Sequence, residues 1–295
     1  MSSSNNAPSA AGNAPAPSAA PVASTDTHSS TAAPAGAPGA ESNDLLIDVR
    51  GPVWWLTINR EARRNAMSHA VLAGLAQALA KAQGDRSVRA IVITGVGSKA
   101  FCAGADLQSA QAFTTDYSDP IGHLAAVLRL AKASHVPLIA RVNGACMAGG
   151  MGLLSMCDMA VAASHAVFGL PEVKVGVFPA QVLSVLQHLV PRRKLVEWCL
   201  TGEPLSAAEA LEFGLVNHVA DDVDAQLQWL LDRLLDKSPA AIRRGLYTMK
   251  KIESMAFEES MSFTESQIAL FTLTEDAKEG QAAYQQKRKP QWQGK

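Results

Sequence analysis

Two short apolar runs, Ala90-Ile-Val-Ile-Thr94 and Pro137-Leu-Ile-Ala-Arg-Val142, are each followed at once by a loop containing several glycines. Runs this short and this rich in β-branched residues read as buried strands of a parallel sheet. Around them the pattern alternates. Val71, Leu72, Leu75, Ala76 and Leu79 recur at helical spacing over 68–83, with Ser68 placed to cap the start. A helix is expected over 149–156 and a strand over 159–163. Upstream, Leu45–Arg50 and Val53–Ile58 flank Gly51-Pro52 as the two strands of a hairpin. From Ser206 onward the periodicity is helical, over 206–213, 224–235, 239–249, 257–273 and 277–287. The expected fold class is α/β followed by a helical C-terminal region, with a core over 44–205 and helices over 206–295.

Residues 1–43 are almost entirely Ala, Ser, Pro, Gly, Asn and Thr, and the first Lys or Arg is Arg50. Such a segment buries too little apolar surface to offset the entropy of ordering it, so a disordered tail is expected. It has neither the basic start and apolar core of a secretory signal nor the arginines of a transit peptide. The formal net charge of -1 argues against general binding to nucleic acid. No apolar run approaches the roughly 20 residues of a membrane-spanning helix, so no membrane partner is expected. Cys102, Cys146, Cys157 and Cys199 show neither metal nor disulfide spacing, which leads to the expectation of a reduced, cytoplasmic protein. The seven histidines form no ligand-like cluster, and no metal is expected.

The two glycine loops are the places for chemistry, because ligands of α/β folds gather beyond the carboxyl ends of parallel strands. The first is Gly95-Val-Gly-Ser-Lys-Ala-Phe-Cys-Ala-Gly-Ala-Asp106. The second, Asn143-Gly-Ala-Cys-Met-Ala-Gly-Gly-Met-Gly152, runs into the expected helix. Small residues let backbone approach a ligand, and N–H groups at a helix start lack intrahelical partners. Together they suit a hole for a developing oxyanion. The fragment Gly95-Val-Gly-Ser-Lys-Ala100 also imitates a dinucleotide fingerprint. That alternative fails on context, since it opens into Phe101-Cys-Ala-Gly-Ala rather than a helix, and no acidic residue closes a second buried strand at the required distance.

These motifs resemble those of the crotonase (enoyl-CoA hydratase/isomerase) family. The resemblance is carried by Lys99–Leu107, Val142–Gly150 with Cys157-Asp158, Phe168–Gly176, Leu200–Ala210 with Gly214-Leu-Val216, and Glu279-Gly through Lys287-Arg-Lys-Pro290. It implies a ββα spiral core, a C-terminal helical trimerisation region, and homotrimers that pair into hexamers. It further implies an acyl-CoA substrate, with coenzyme A as part of that substrate and no separate cofactor. The N–H groups of Ala105 and Gly149 would form the oxyanion hole, flanked by Ala103 and Asp106. Arg63, Arg64, Lys99 and Lys287 would meet coenzyme A, Lys287 in a neighbouring subunit. Glu172, in the Pro-Glu pair, would be the acid/base, since a carboxyl in a dry acyl pocket is suited to moving a proton to or from carbon.

One position departs from the family. Typical hydratases carry a second glutamate three residues after the oxyanion-hole glycine, where this chain has Gly152. Two carboxylates hold and activate the added water, whereas double-bond isomerases of the family manage with one. Hydration is the expected reaction and isomerisation the alternative; an acyl-CoA-binding member without catalysis is the third. Asp116 or Asp119 could replace the missing acid, and Gln181 could orient a water.

Overall fold

The computed structural model describes residues 43–106, 118 and 121–295. The tail over 1–42 and both candidate acids, Asp116 and Asp119, lie outside the described residues. Along the chain the strands are β1 (Leu45–Arg50), β2 (Val53–Ile58), β3 (Ala90–Gly95), β4 (Ala100–Cys102), β5 (Leu138–Val142), β6 (Ala145–Met147), β7 (Met159–Ala163), β8 (Val167–Gly169), β9 (Leu205–Ser206) and β10 (His218–Ala220). The helices are α1 (His69–Gly84), α2 (His123–Ala133), α3 (Gly149–Ser155), α4 (Ala180–Leu186), α5 (Arg192–Thr201), α6 (Ala207–Glu212), α7 (Val223–Leu235), α8 (Pro239–Ile252), α9 (Phe257–Thr272) and α10 (Glu275–Gln285).

The expected hairpin forms, with β1 antiparallel to β2 and Gly51 in the left-handed turn. From β2 onward the larger sheet is parallel in the order β2-β3-β5-β7-β10. Its strands read as continuous apolar runs because both faces are covered. Ile91 and Ile93 of β3 point into the principal core with Leu56, Leu75, Leu79 and Leu138. Ala90 and Val92 point the other way, onto Val223, Leu227 and Leu231 of α7. Each such Ile or Leu, fully buried, contributes about 1.5–3 kcal/mol of transfer free energy. Ser68 caps α1 by accepting from the Val71 N–H at 3.2 Å.

A second sheet, β4-β6-β8-β9, lies where loops were expected. β4, β6 and β8 are parallel and each has three residues, too few to show any periodicity in sequence. After the hairpin, three successive turns of the chain each give one strand to each sheet before crossing back: β3-β4-α2, then β5-β6-α3, then β7-β8 and a 3-10 turn over Pro171–Val175. This is the ββα spiral of the crotonase fold. The C-terminal region is helical except at β10, which returns to pair with β7 at the sheet edge.

α6 and α7 reach the core through apolar side chains, whereas polar contacts tie α8, which has no buried residue, and the end of α7. The Arg243 guanidinium donates to the Asp85 and Val88 carbonyls, and Arg89 donates to those of Leu235 and Lys237. Lys250 of α8 pairs with Asp158 at 2.8 Å, both side chains largely buried. By contrast, α9 buries only Gln267 among its 16 residues.

Candidate active site

Two buried asparagines build the first wall. The Asn65 side-chain amide donates to the carbonyls of Val96 at 3.0 Å and Ala100 at 2.7 Å, while its oxygen accepts from the Arg60 N–H. Asn143 donates to the carbonyls of Gly97 at 2.7 Å and Ala100 at 3.1 Å, and accepts from the Gly95 N–H at 3.2 Å. The first glycine loop is therefore clamped from both sides at Ala100, immediately before the candidate oxyanion segment. Sequence reasoning gave neither asparagine a role. The available signal was Asn143 beside Gly144, since carboxamides offer donor and acceptor together; Asn65, with no glycine near it in the chain, gave none.

Beyond this clamp the two loops touch. Gly104 has a φ of +93°, and a Cβ there would lie 2.8 Å from the Ala148 Cβ and 3.1 Å from the Gly149 nitrogen. An L side chain is excluded both by conformation and by space. Met67 donates its N–H to the Gly104 carbonyl and accepts from the Asp106 N–H, forming a bridge opposite Ala105. In such a bridge the N–H of the middle residue points away from the partner strand. The Ala105 amide is turned toward the second loop and has no backbone partner among the described residues.

The second amide is set by strain. Ala148 adopts φ 51°, ψ −125°, a rare conformation for a residue with a Cβ, and donates its own N–H to the Gly169 carbonyl at 2.9 Å. Gly149 then begins α3, where the N–H groups are unpaired by helix geometry. A Cβ on Gly149 would lie 3.8 Å from the Ala105 nitrogen, so the two residues lie close together. Gly150 completes the fit, because a Cβ there would meet the Cys102 carbonyl at 2.4 Å.

Glu172 follows the strand that anchors Ala148. β8 ends at Gly169, whose carbonyl anchors Ala148, and three residues later Glu172 lies in the 3-10 turn. Its Oε2 is buried with no hydrogen-bond partner. Burial pushes its carboxyl above the ordinary value of 4.5, opposed only by its own backbone N–H. α5 packs on this turn, and the Cys199 thiol is pushed up by burial and by the charge of Glu172. Alongside lies a cavity of about 370 Å³ walled by Phe178, Leu183, Leu195, Cys199 and Leu200.

The other candidates are placed as follows. The Asp106 carboxylate is 2.7 Å from the Arg60 guanidinium, which also donates to the Ala66 carbonyl. Ala103 donates its N–H to the Arg64 carbonyl. The side chains of Arg63, Arg64 and Lys99 are exposed around the first loop, and Lys287 is exposed after α10. Gly152 lies inside α3, where a Cβ would make ordinary contact with Val182 at 3.5 Å and Leu128 at 3.9 Å. Gln181 is exposed near Gly122. Cys102 and Cys146 are buried, and burial holds both thiols up, that of Cys102 at about 12, which is wrong for a nucleophile. Among the described residues no group of three His, Cys, Asp or Glu could hold a metal ion, and no helix is long and apolar enough to cross a membrane.

A family model described as enoyl-CoA hydratase/isomerase matches residues 49–295. The chain is 34% identical over 264 residues to an enoyl-CoA hydratase of Mycobacterium tuberculosis, covering 85% of this chain and 97% of that one. It is 32% identical over 259 residues to the 2,3-dehydroadipyl-CoA hydratase of Escherichia coli, covering 86% and 100%. The crystal structure of an enoyl-CoA hydratase from Mycobacterium smegmatis superposes with a TM-score of 0.81 at 33% identity, covering 85% and 99%. The spiral fold agrees with these likenesses, and the chain belongs to the enoyl-CoA hydratase/isomerase family.

Proposed function

We propose that this enzyme adds water across the 2,3 double bond of an enoyl-CoA thioester. The reading is carried by the buried, unsatisfied Oε2 of Glu172, on the turn that follows the strand anchoring Ala148. The thioester oxygen would accept from the N–H groups of Ala105 and Gly149. As water attacks C3, the electron pair of the double bond moves onto that oxygen as an enolate, and two fixed donors stabilise the charge as it forms. Glu172 takes the proton from the attacking water and returns it to C2. The surrounding burial favours the neutral acid and so strengthens Glu172 as the base that takes the proton from water. Relatives named as hydratases support the same reaction.

Gly152 favours a second reading, double-bond isomerisation. Where a second carboxylate would hold the water, α3 instead packs on Val182 and Leu128. Moving a proton from C4 to C2 needs only one base, and Glu172 suffices. Incubation with 2-enoyl-CoA and 3-enoyl-CoA, followed by mass analysis, separates the two: gain of one water supports hydration, and interconversion without mass change supports isomerisation.

Lys99, Arg63 and Arg64 would meet the phosphates of coenzyme A, with Ala103 and Asp106 shaping the thioester end and Lys287 serving a neighbouring subunit. The chemistry calls for no cofactor beyond the coenzyme A of the substrate. The exposed Phe257, Ile268 and Leu273 on and just after α9, a helix with one buried residue, fit burial in a homotrimer or hexamer. A cytoplasmic role in acyl-CoA or fatty acid breakdown is consistent with this chemistry.

A further inference from the structure

The cavity beside Glu172 has a polar far end. One face of α5, carrying residues 192, 195, 196, 199 and 200, lines it along its length, at the three-and-four spacing that aligns side chains on a helix. At one end is Cys199, next to Glu172. At the other is Arg192, seven residues earlier and roughly 10 Å along the axis at helical rise. Gln187, at the end of α4, also lines the cavity. The wall between is apolar, formed by Phe178, Leu183, Leu195 and Leu200.

Arg192 and its neighbour Arg193, neither with an ion-pair partner among the described residues, contrast with the lysines around them, and of the two Arg192 is the one that lines the cavity. Lys194 pairs with Glu197, and Lys174 pairs with Glu203. Among the described residues Arg192 has no carboxylate or carbonyl partner, although it opens onto the cavity. A guanidinium presents a planar set of donors suited to a carboxylate, and Gln187 adds a further donor. We infer that the acyl group bound here is a short chain ending in a carboxylate, its reacting carbons at Glu172 and its far end on Arg192 and Gln187. The cavity, at the small end of the roughly 300–1,000 Å³ range of small-molecule sites, suits such a length.

This inference rests on the proposed thioester chemistry, and two measurements keep them apart. The first compares kcat/KM for 2-hexenoyl-CoA with that for its ω-carboxy counterpart, 2-hexenedioyl-CoA. The acid should be preferred roughly tenfold or more, as a charge-assisted hydrogen bond allows. Arg192→Leu should bring the ratio to about one, and Arg192→Lys should retain part of it. The second measures binding of hexanoyl-CoA and adipyl-CoA, saturated esters that cannot be hydrated. It reports on Arg192 even if no substrate turns over, an outcome that would count against the hydratase reading alone. Equal affinity for the two saturated esters, or an unchanged ratio in Arg192→Leu, overturns the proposed acid-ended substrate.

Discussion

The two walls of the site are built on opposite principles. On the amide side, Asn65 and Asn143 satisfy the turn over 95–100 from both directions, and glycines close every gap. On the glutamate side, two buried polar atoms stay unsatisfied: Glu172 Oε2 and Trp198 Nε1 of α5. The first wall gains rigidity from the asparagine hydrogen bonds, although Ser155 Oγ at the far end of α3 is also unsatisfied. The second retains a group whose desolvation is uncompensated, a cost typical of functional sites. The contrast suggests a division of labour: the hole serves any reaction through an enolate, and the second wall decides which reaction and which acyl group.

Breaking the second wall should have the largest effect. Glu172→Gln is expected to lower kcat by about 10²–10⁴-fold while the affinity for a saturated acyl-CoA is kept. Unchanged turnover would remove Glu172 from the chemistry. The same variant tests the cost of the orphaned carboxylate. Because folding raises this pKa, protonation favours the folded state, and the contribution is fully present below the ordinary value of 4.5. It is lost as pH rises through the elevated value. Glu172→Gln cannot ionise, so its Tm should exceed that of the parent at neutral pH, with the gap closing in acid. For the parent enzyme, the acid limb of the kcat/KM profile should lie above the ordinary carboxyl range.

Breaking the first wall should act through geometry. Gly104→Ala places a methyl group against Ala148 in a left-handed conformation and separates the two amides. A loss in kcat of about 10²–10³-fold is expected, the size seen when one oxyanion donor is removed. A kcat within a few fold of the parent would argue that these amides do not hold the thioester. Asn143→Ala leaves the Gly95 N–H and the Gly97 carbonyl without their partner, and denaturant unfolding should show about 1–3 kcal/mol lost for a buried group left unpaired. The smallest effect is expected at the seam between the walls. Gly152→Ala adds a methyl group at ordinary contact distance inside α3, so stability should rise by about 0.5–1 kcal/mol. A marked loss of activity in that variant would mean that the space beside Gly152 holds a reactant.

Much of the larger sheet was legible in the chain. β3 and β5 announced themselves because burial on both faces demands unbroken apolar residues, and the five C-terminal helices fell within a few residues of their expected bounds. α2, α4 and α5 were not anticipated. α5 has only Leu195, Trp198 and Cys199 buried among charged neighbours, a stripe too thin to stand out. The second sheet was invisible for a different reason, since three-residue strands owe their pairing to the neighbours that long-range folding supplies.

The sequence by itself marked the two glycine loops and, through its family resemblance, the Pro-Glu pair as the candidate places of chemistry. Backbone approach and positive φ require glycine whatever the surroundings, and such requirements are written one residue at a time. Only the tertiary structure decided that Gly104 abuts Gly149, that Asn65 and Asn143 share the Ala100 carbonyl, and that Glu172 is left unpartnered beside an apolar cavity ending at Arg192. These are relations between residues distant in the chain, set by which strands pair and which helix packs on which turn.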